Sequence, residues 1–112
     1  MELLEEHVGD ACVVTAKGLL DASASGVFAD RMGNLISAPN PKLLVDFAGV
    51  DLVTSAGLRA LLLVMKQAKA AGGMFVLCGV QESVRELFNI SGFAPMLTIR
   101  GGRSDGLAAL GG

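Results

Sequence analysis

Two apolar runs too short for helices, Lys42–Phe47 and Met74–Cys78, stand on either side of a long segment with helical periodicity. No other feature of the chain restricts the fold as strongly. A continuous apolar run of this length suits a strand covered on both faces. A helix placed between two such strands makes them parallel neighbours joined by a right-handed crossover. The chain is therefore expected to be α/β, built on a mixed or mostly parallel sheet.

The remaining segments extend that pattern. Leu3 to Ala16 reads as two short strands in a hairpin, with the turn at Gly9-Asp10 and the β-branched run Val13–Thr15 favouring a strand. Gly18 is expected to punctuate the end of the second strand. Asp21 or Ser23 can cap a following helix, with Val27, Phe28, Met32, Leu35 and Ile36 at helical spacing. Pro39 and Pro41 end that helix. Asp46 is expected to end the central strand beside a connection from Gly49 to Thr54. The clearest helix runs from Ser55 to about Ala71, with Leu58, Leu61, Leu62, Met65 and Ala68 as its apolar face and Gly72-Gly73 as its stop. A short helix over Glu82–Ile90 turns Val84, Leu87 and Phe88 inward. Met96–Ile99 suits a last short strand, and Asp105–Leu110 a final helical turn or two.

The totals bound the function. The 112 residues suffice for one domain, 1–112, with the Gly/Ala-rich last residues expected to be disordered. With neither Trp nor Tyr, the core must be mainly aliphatic with a few Phe. The formal net charge is -2 and the basic residues form no stripe, which speaks against direct nucleic-acid binding. The acidic MELLEEHV start is unlike a signal peptide, and no apolar run is long enough for a membrane span, so a cytoplasmic location is expected. Cys12 and Cys78 each sit in an apolar segment and read as buried free thiols.

Catalytic chemistry has little to work with. His7 is the sole histidine, so no relay or shared metal site can be built on histidines. The glycine pairs fit neither a phosphate-binding loop nor a dinucleotide fingerprint. Asp46 and Asp51 alone are poor evidence for a metal. Asp46 reads better as a carboxylate that collects backbone N–H groups of the following loop. No catalytic residue, metal or cofactor is expected. Thr54 and Ser55 remain, where a loop enters the long helix. Either hydroxyl can cap the helix by accepting from a free N–H group. Either could also carry a phosphate, which would meet the positive end of the helix.

The stretch DFAGVDLVTSAGLRALLLV, Asp46 to Val64, resembles the signature of the STAS family, in particular the bacterial anti-anti-sigma factors, or anti-sigma factor antagonists. The resemblance extends from GLLDAS at Gly18–Ser23, through AGGMFVLCGV at Ala71–Val80, to VRELFNISGF at Val84–Phe93. It implies a sheet of four or five strands with helices packed mainly on one face. It implies regulation by binding rather than catalysis. In regulatory members an anti-sigma factor that is a serine kinase phosphorylates a serine at the start of the second helix. The unphosphorylated form binds that kinase and frees the sigma factor, and a PP2C-type phosphatase restores the active form.

Carried over by motif, the phosphoacceptor is Ser55, with Thr54 as the adjacent second hydroxyl. Asp46, Gly49, Asp51, Thr54 and Gly57 would form the switch loop. Arg59, Leu63 and Lys66, on the outer side of the long helix, would meet the partner. Related domains lacking a phosphorylatable residue serve as constitutive modules of larger complexes such as lipid-transport assemblies. That is the alternative reading.

Overall fold

The structure is a computed structural model that describes residues 1–111. Its elements are β1 (Glu2–Val8), β2 (Ala11–Leu20), α1 (Ala22–Ile36), β3 (Lys42–Val53), α2 (Ser55–Ala70), β4 (Met74–Cys78) and α3 (Glu82–Ile90). A 3-10 turn (Ala94–Met96), β5 (Thr98–Arg100) and α4 (Arg103–Ala109) complete the chain. The strands form one sheet in the order β1-β2-β3-β4-β5. β1 runs antiparallel to β2, while β2 to β5 are parallel neighbours. The expected α/β class and mixed sheet are therefore present.

Period-two alternation assigns the two faces of the sheet. Cys12, Val14, Leu43, Val45, Phe47, Phe75 and Leu77 point to the side covered by α1, α2 and α3. Ala11, Val13, Leu44, Val76 and Cys78 point to the other side, where Leu110 closes over them. Three helices thus cover one face and the short α4 covers part of the other. Phe28, Phe47 and Phe88 are fully buried, each contributing about 2–3 kcal/mol of burial. Gly106 lets α4 lie close to the sheet, since a Cβ there would stand 2.5 Å from Leu44 Cδ1.

The expected tail therefore begins as an ordered helix, with Leu110 only 1% exposed. The expectation of disorder at Gly112 lies outside the described residues. Both cysteines are buried free thiols, Cys12 on the three-helix side and Cys78 on the α4 side. Burial, reinforced by the Asp46 carboxylate, pushes the Cys78 thiol up to about 11.

Three local expectations change. In α1 the buried stripe is Ala24, Phe28, Met32 and Ile36, four residues apart, and Val27 is 57% exposed. Asp21 is the cap: its carboxylate accepts from the Ala24 N–H at 3.0 Å and from the Ser23 hydroxyl at 2.7 Å. The largest change concerns β3. It does not end at Asp46 but continues to Val53, pairing Gly49, Val50, Leu52 and Val53 with Lys17, Gly18, Leu19 and Leu20. β4 stops at Cys78, opposite Asp46. Beyond that point, among the described residues, β3 keeps only β2 as a strand neighbour, and the two strands project together. Gly18 does not end β2. It lies inside the strand at φ +109, next to a register shift, where an L side chain would be strained.

Candidate functional site

The projecting β2–β3 pair delivers the chain to the start of α2. There the Thr54 N–H donates to the Leu20 carbonyl at 3.0 Å, which ties the helix entry to the end of β2. The Thr54 side chain caps α2 by accepting from the Gly57 N–H at 3.4 Å. Gly57 is needed for this close approach, since a Cβ there would lie 2.1 Å from the Leu20 carbonyl oxygen. Of the two candidate caps, the structure selects Thr54. Ser55 is the first helical residue, is exposed, and its hydroxyl has no hydrogen-bond partner among the described residues.

The residues grouped as a switch loop do not form one. Gly49 and Asp51 are in β3, and only Thr54 stands between the strand and the helix. Gly49 gives close packing against β2, since a Cβ there would stand 2.8 Å from Lys17 Cγ. Asp51 Oδ1 accepts from the Gln81 side-chain amide at 3.1 Å. The same amide donates to the Ala48 carbonyl at 2.9 Å, fixing the start of α3 to the edge of β3.

Asp46 lies within β3 and turns to the α4 side, away from α2. Among the described residues one backbone N–H reaches it, that of Ala48 at 2.9 Å. Its other oxygen accepts from Arg103 Nε at 2.9 Å. Arg103 also donates to Glu6 at 2.5 Å and to the Thr15 hydroxyl. One guanidinium thus joins β1, β2 and β3 to the first turn of α4. The hydrogen bonds that Arg103 donates to Asp46 and then to Glu6 raise its pKa above the ordinary value. Arg103 escaped notice in the sequence because its partners are far away in the chain and no local pattern marks it.

Two grooves flank the exposed side of α2. One, about 250 Å³, lies between α2 and α3, with Ser55 and Arg59 at its edge and Leu58, Leu62, Leu87 and Phe93 along it. The other, about 430 Å³, lies between α1 and α2 and is lined by Gly26, Ala29, Ala56, Arg59, Ala60 and Leu63 among others. Arg59 is the ridge shared by both. Ser55 and Leu63 therefore belong to different grooves, and exposed Lys66 lines neither. Leu63 is 49% exposed, so the core does not require it.

A second exposed apolar feature lies on the projecting strands. Leu19 and Leu52 are direct partners across the projecting strands and are 45% and 50% exposed. Sequence reasoning missed them because the length of β3 was missed. Strict alternation from buried Val50 would point Leu52 inward; the register shift at Asp51, which no local pattern marks, turns it outward beside buried Val53. His7 is exposed on the edge strand β1. Among the described residues no group of three or more His, Cys, Asp or Glu could hold a metal ion, and no helix is long and apolar enough to cross a membrane.

Residues 3–105 match the STAS domain family. The curated protein named "Putative anti-sigma factor antagonist BtrV", from Bordetella bronchiseptica, is 28% identical over 109 residues, covering 97% of this chain and 94% of its own. Among solved structures, an anti-sigma-factor antagonist (STAS) domain protein from Planctomyces limnophilus superposes with a TM-score of 0.86 at 18% identity, covering 98% of each chain. The Bacillus cell fate determinant SpoIIAA in its phosphorylated form gives a TM-score of 0.70 at 19% identity, covering 96% of this chain and 98% of that one. At these identities the solved structures establish the shared fold.

Proposed function

The chain belongs to the STAS domain family, and on that premise we propose that it is an anti-sigma factor antagonist switched off by phosphorylation of Ser55. Unmodified, it binds an anti-sigma factor that is also a serine kinase, and the sigma factor is released. The kinase transfers the γ-phosphoryl group of ATP to Ser55 Oγ, the hydroxyl proton leaves, and ADP departs. A PP2C-type phosphatase hydrolyses the phosphoserine and restores the binding form.

The observation that carries this reading is the division of labour at the helix entry. Thr54 caps α2 and is tied to Leu20, while Ser55 is exposed and structurally idle. A phosphate on Ser55 leaves the cap in place and the fold intact. It adds about 1.5 to 2 negative charges at the edge of a groove with apolar walls. A partner that buries that edge in the neutral state would then have to desolvate a dianion. Relatives named as anti-sigma factor antagonists support the role. Partner contact is assigned to Arg59, Leu63 and Lys66 on the outer side of α2. An apolar anchor at Leu63 flanked by two cations suits an acidic partner surface.

Incubation with the cognate kinase and ATP, followed by intact mass and peptide mapping, tests the acceptor. One phosphate on Ser55 supports the reading. A phosphate on Thr54 moves the acceptor. A chain that binds its partner and never accepts phosphate is instead a constitutive module of a larger complex, such as a lipid-transport assembly.

A further inference from the structure

The exposed side of α2 carries a cation, Arg59, that has no counter-ion among the described residues. Arg59 is exposed and takes part in no ion pair among the described residues, whereas Arg31 holds Glu5 and Arg103 holds Glu6 and Asp46. The first turn of α2 contains no acidic side chain that could reach it. Arg59 follows Ser55 by four residues, so both lie on one side of the helix, one turn apart. Helical side chains lean toward the N-terminus, which lays the arginine stem over the turn that contains Ser55. Both residues line the same groove between α2 and α3. An anion at the first position with a cation four residues later is the favourable order for such a pair. The planar guanidinium also presents paired donors that match phosphate oxygens.

We propose that Arg59 is the internal partner of the Ser55 phosphate, forming a one-turn ion pair that exists only in the modified protein. This deepens the switch reading and rests on Ser55 being the phosphoacceptor. Modification then changes the surface in two ways. It adds a dianion, and it withdraws the guanidinium from the ridge between the two grooves, where an acidic group of a partner would otherwise meet it. The same arginine serves an intermolecular contact in one state and an intramolecular contact in the other.

The test needs no kinase. Phosphoserine is installed at position 55 during translation, and the second ionisation of the phosphate, ordinarily about 6, is followed by phosphorus NMR. The midpoint in the parent is expected about 0.3 lower than in Arg59→Gln, with Arg59→Lys between the two. Lys66→Gln should keep the parent midpoint, which separates a specific pair from general loss of charge. The Arg59 Nε–H resonance should move with the same midpoint as the phosphorus signal. Equal midpoints in the parent and Arg59→Gln, or an equal rise in Lys66→Gln, overturn the proposal. The installed phosphate also separates two failures. A pair that forms here, in a protein that its kinase leaves unmodified at Ser55, refutes the switch reading. A kinase that modifies Ser55 without this midpoint difference refutes the pair alone.

Discussion

Replacing Thr54 by alanine removes the hydroxyl that caps α2 and leaves the Gly57 N–H without its side-chain acceptor. Loss of a Ser or Thr cap costs about 0.5–2 kcal/mol. The 3.4 Å separation between the Gly57 nitrogen and Thr54 Oγ1 is long, which places the expected loss in the lower half of that range, about 1 kcal/mol. The backbone bond from the Thr54 N–H to Leu20 survives the substitution, so the strand-to-helix junction stays closed. For a domain of this size the loss lowers Tm by about 4 °C. Ser55→Ala, one residue on, should shift Tm by less than about 1 °C, because the Ser55 hydroxyl has no hydrogen-bond partner among the described residues and alanine is a good helix former. The assay is a pair of thermal melts with chemical denaturation as a check on the free energy. Equal destabilisation by the two substitutions, or a larger effect at Ser55, would refute the assignment of capping to Thr54 and of an idle hydroxyl to Ser55.

The other expectations follow from the same geometry. Asp46→Asn should cost about 1 kcal/mol, since Arg103 keeps Glu6 but loses the less exposed of its two carboxylates. It should leave the rate of Ser55 phosphorylation unchanged, and a kinase assay that finds it strongly reduced would return Asp46 to the switch. Gly57→Ala should unfold or severely destabilise the protein, because its Cβ would stand 2.1 Å from the Leu20 carbonyl oxygen; a cooperative melt near the parent Tm contradicts the tight junction. Leu63→Asp should weaken partner binding at least about tenfold with little change in Tm, as read by calorimetry beside a melt. Binding like the parent's would place the contact elsewhere, and Leu19 and Leu52 would be the next residues to replace.

How far the sequence reveals this protein depends on the range of the interaction. Elements set by local periodicity were legible: α2 from Leu58, Leu61, Met65 and Ala68, β4 from its unbroken apolar run, and α3 from Val84 and Phe88. The extension of β3 was not, because Ala48-Gly49 imitates a loop and the pairing that rescues it comes from Lys17–Leu20, some thirty residues away. The position of Asp46 failed for a related reason. Its main partner is Arg103, in the last helix, and no local pattern joins the two. The choice between Thr54 and Ser55 as cap also needed coordinates, since both hydroxyls satisfy the sequence pattern. The resemblance indicated the importance of Gly57 without its physical cause, which is the approach of α2 to the end of β2.

A phosphate at Ser55 is proposed to control partner binding. The direct measurement is titration calorimetry of the cognate kinase-type anti-sigma factor against two forms of this protein, one unmodified and one carrying phosphoserine at position 55. The unmodified form should bind measurably and the modified form with at least a tenfold weaker Kd, a difference of about 1.4 kcal/mol or more. Equal affinity of the two forms would contradict that control.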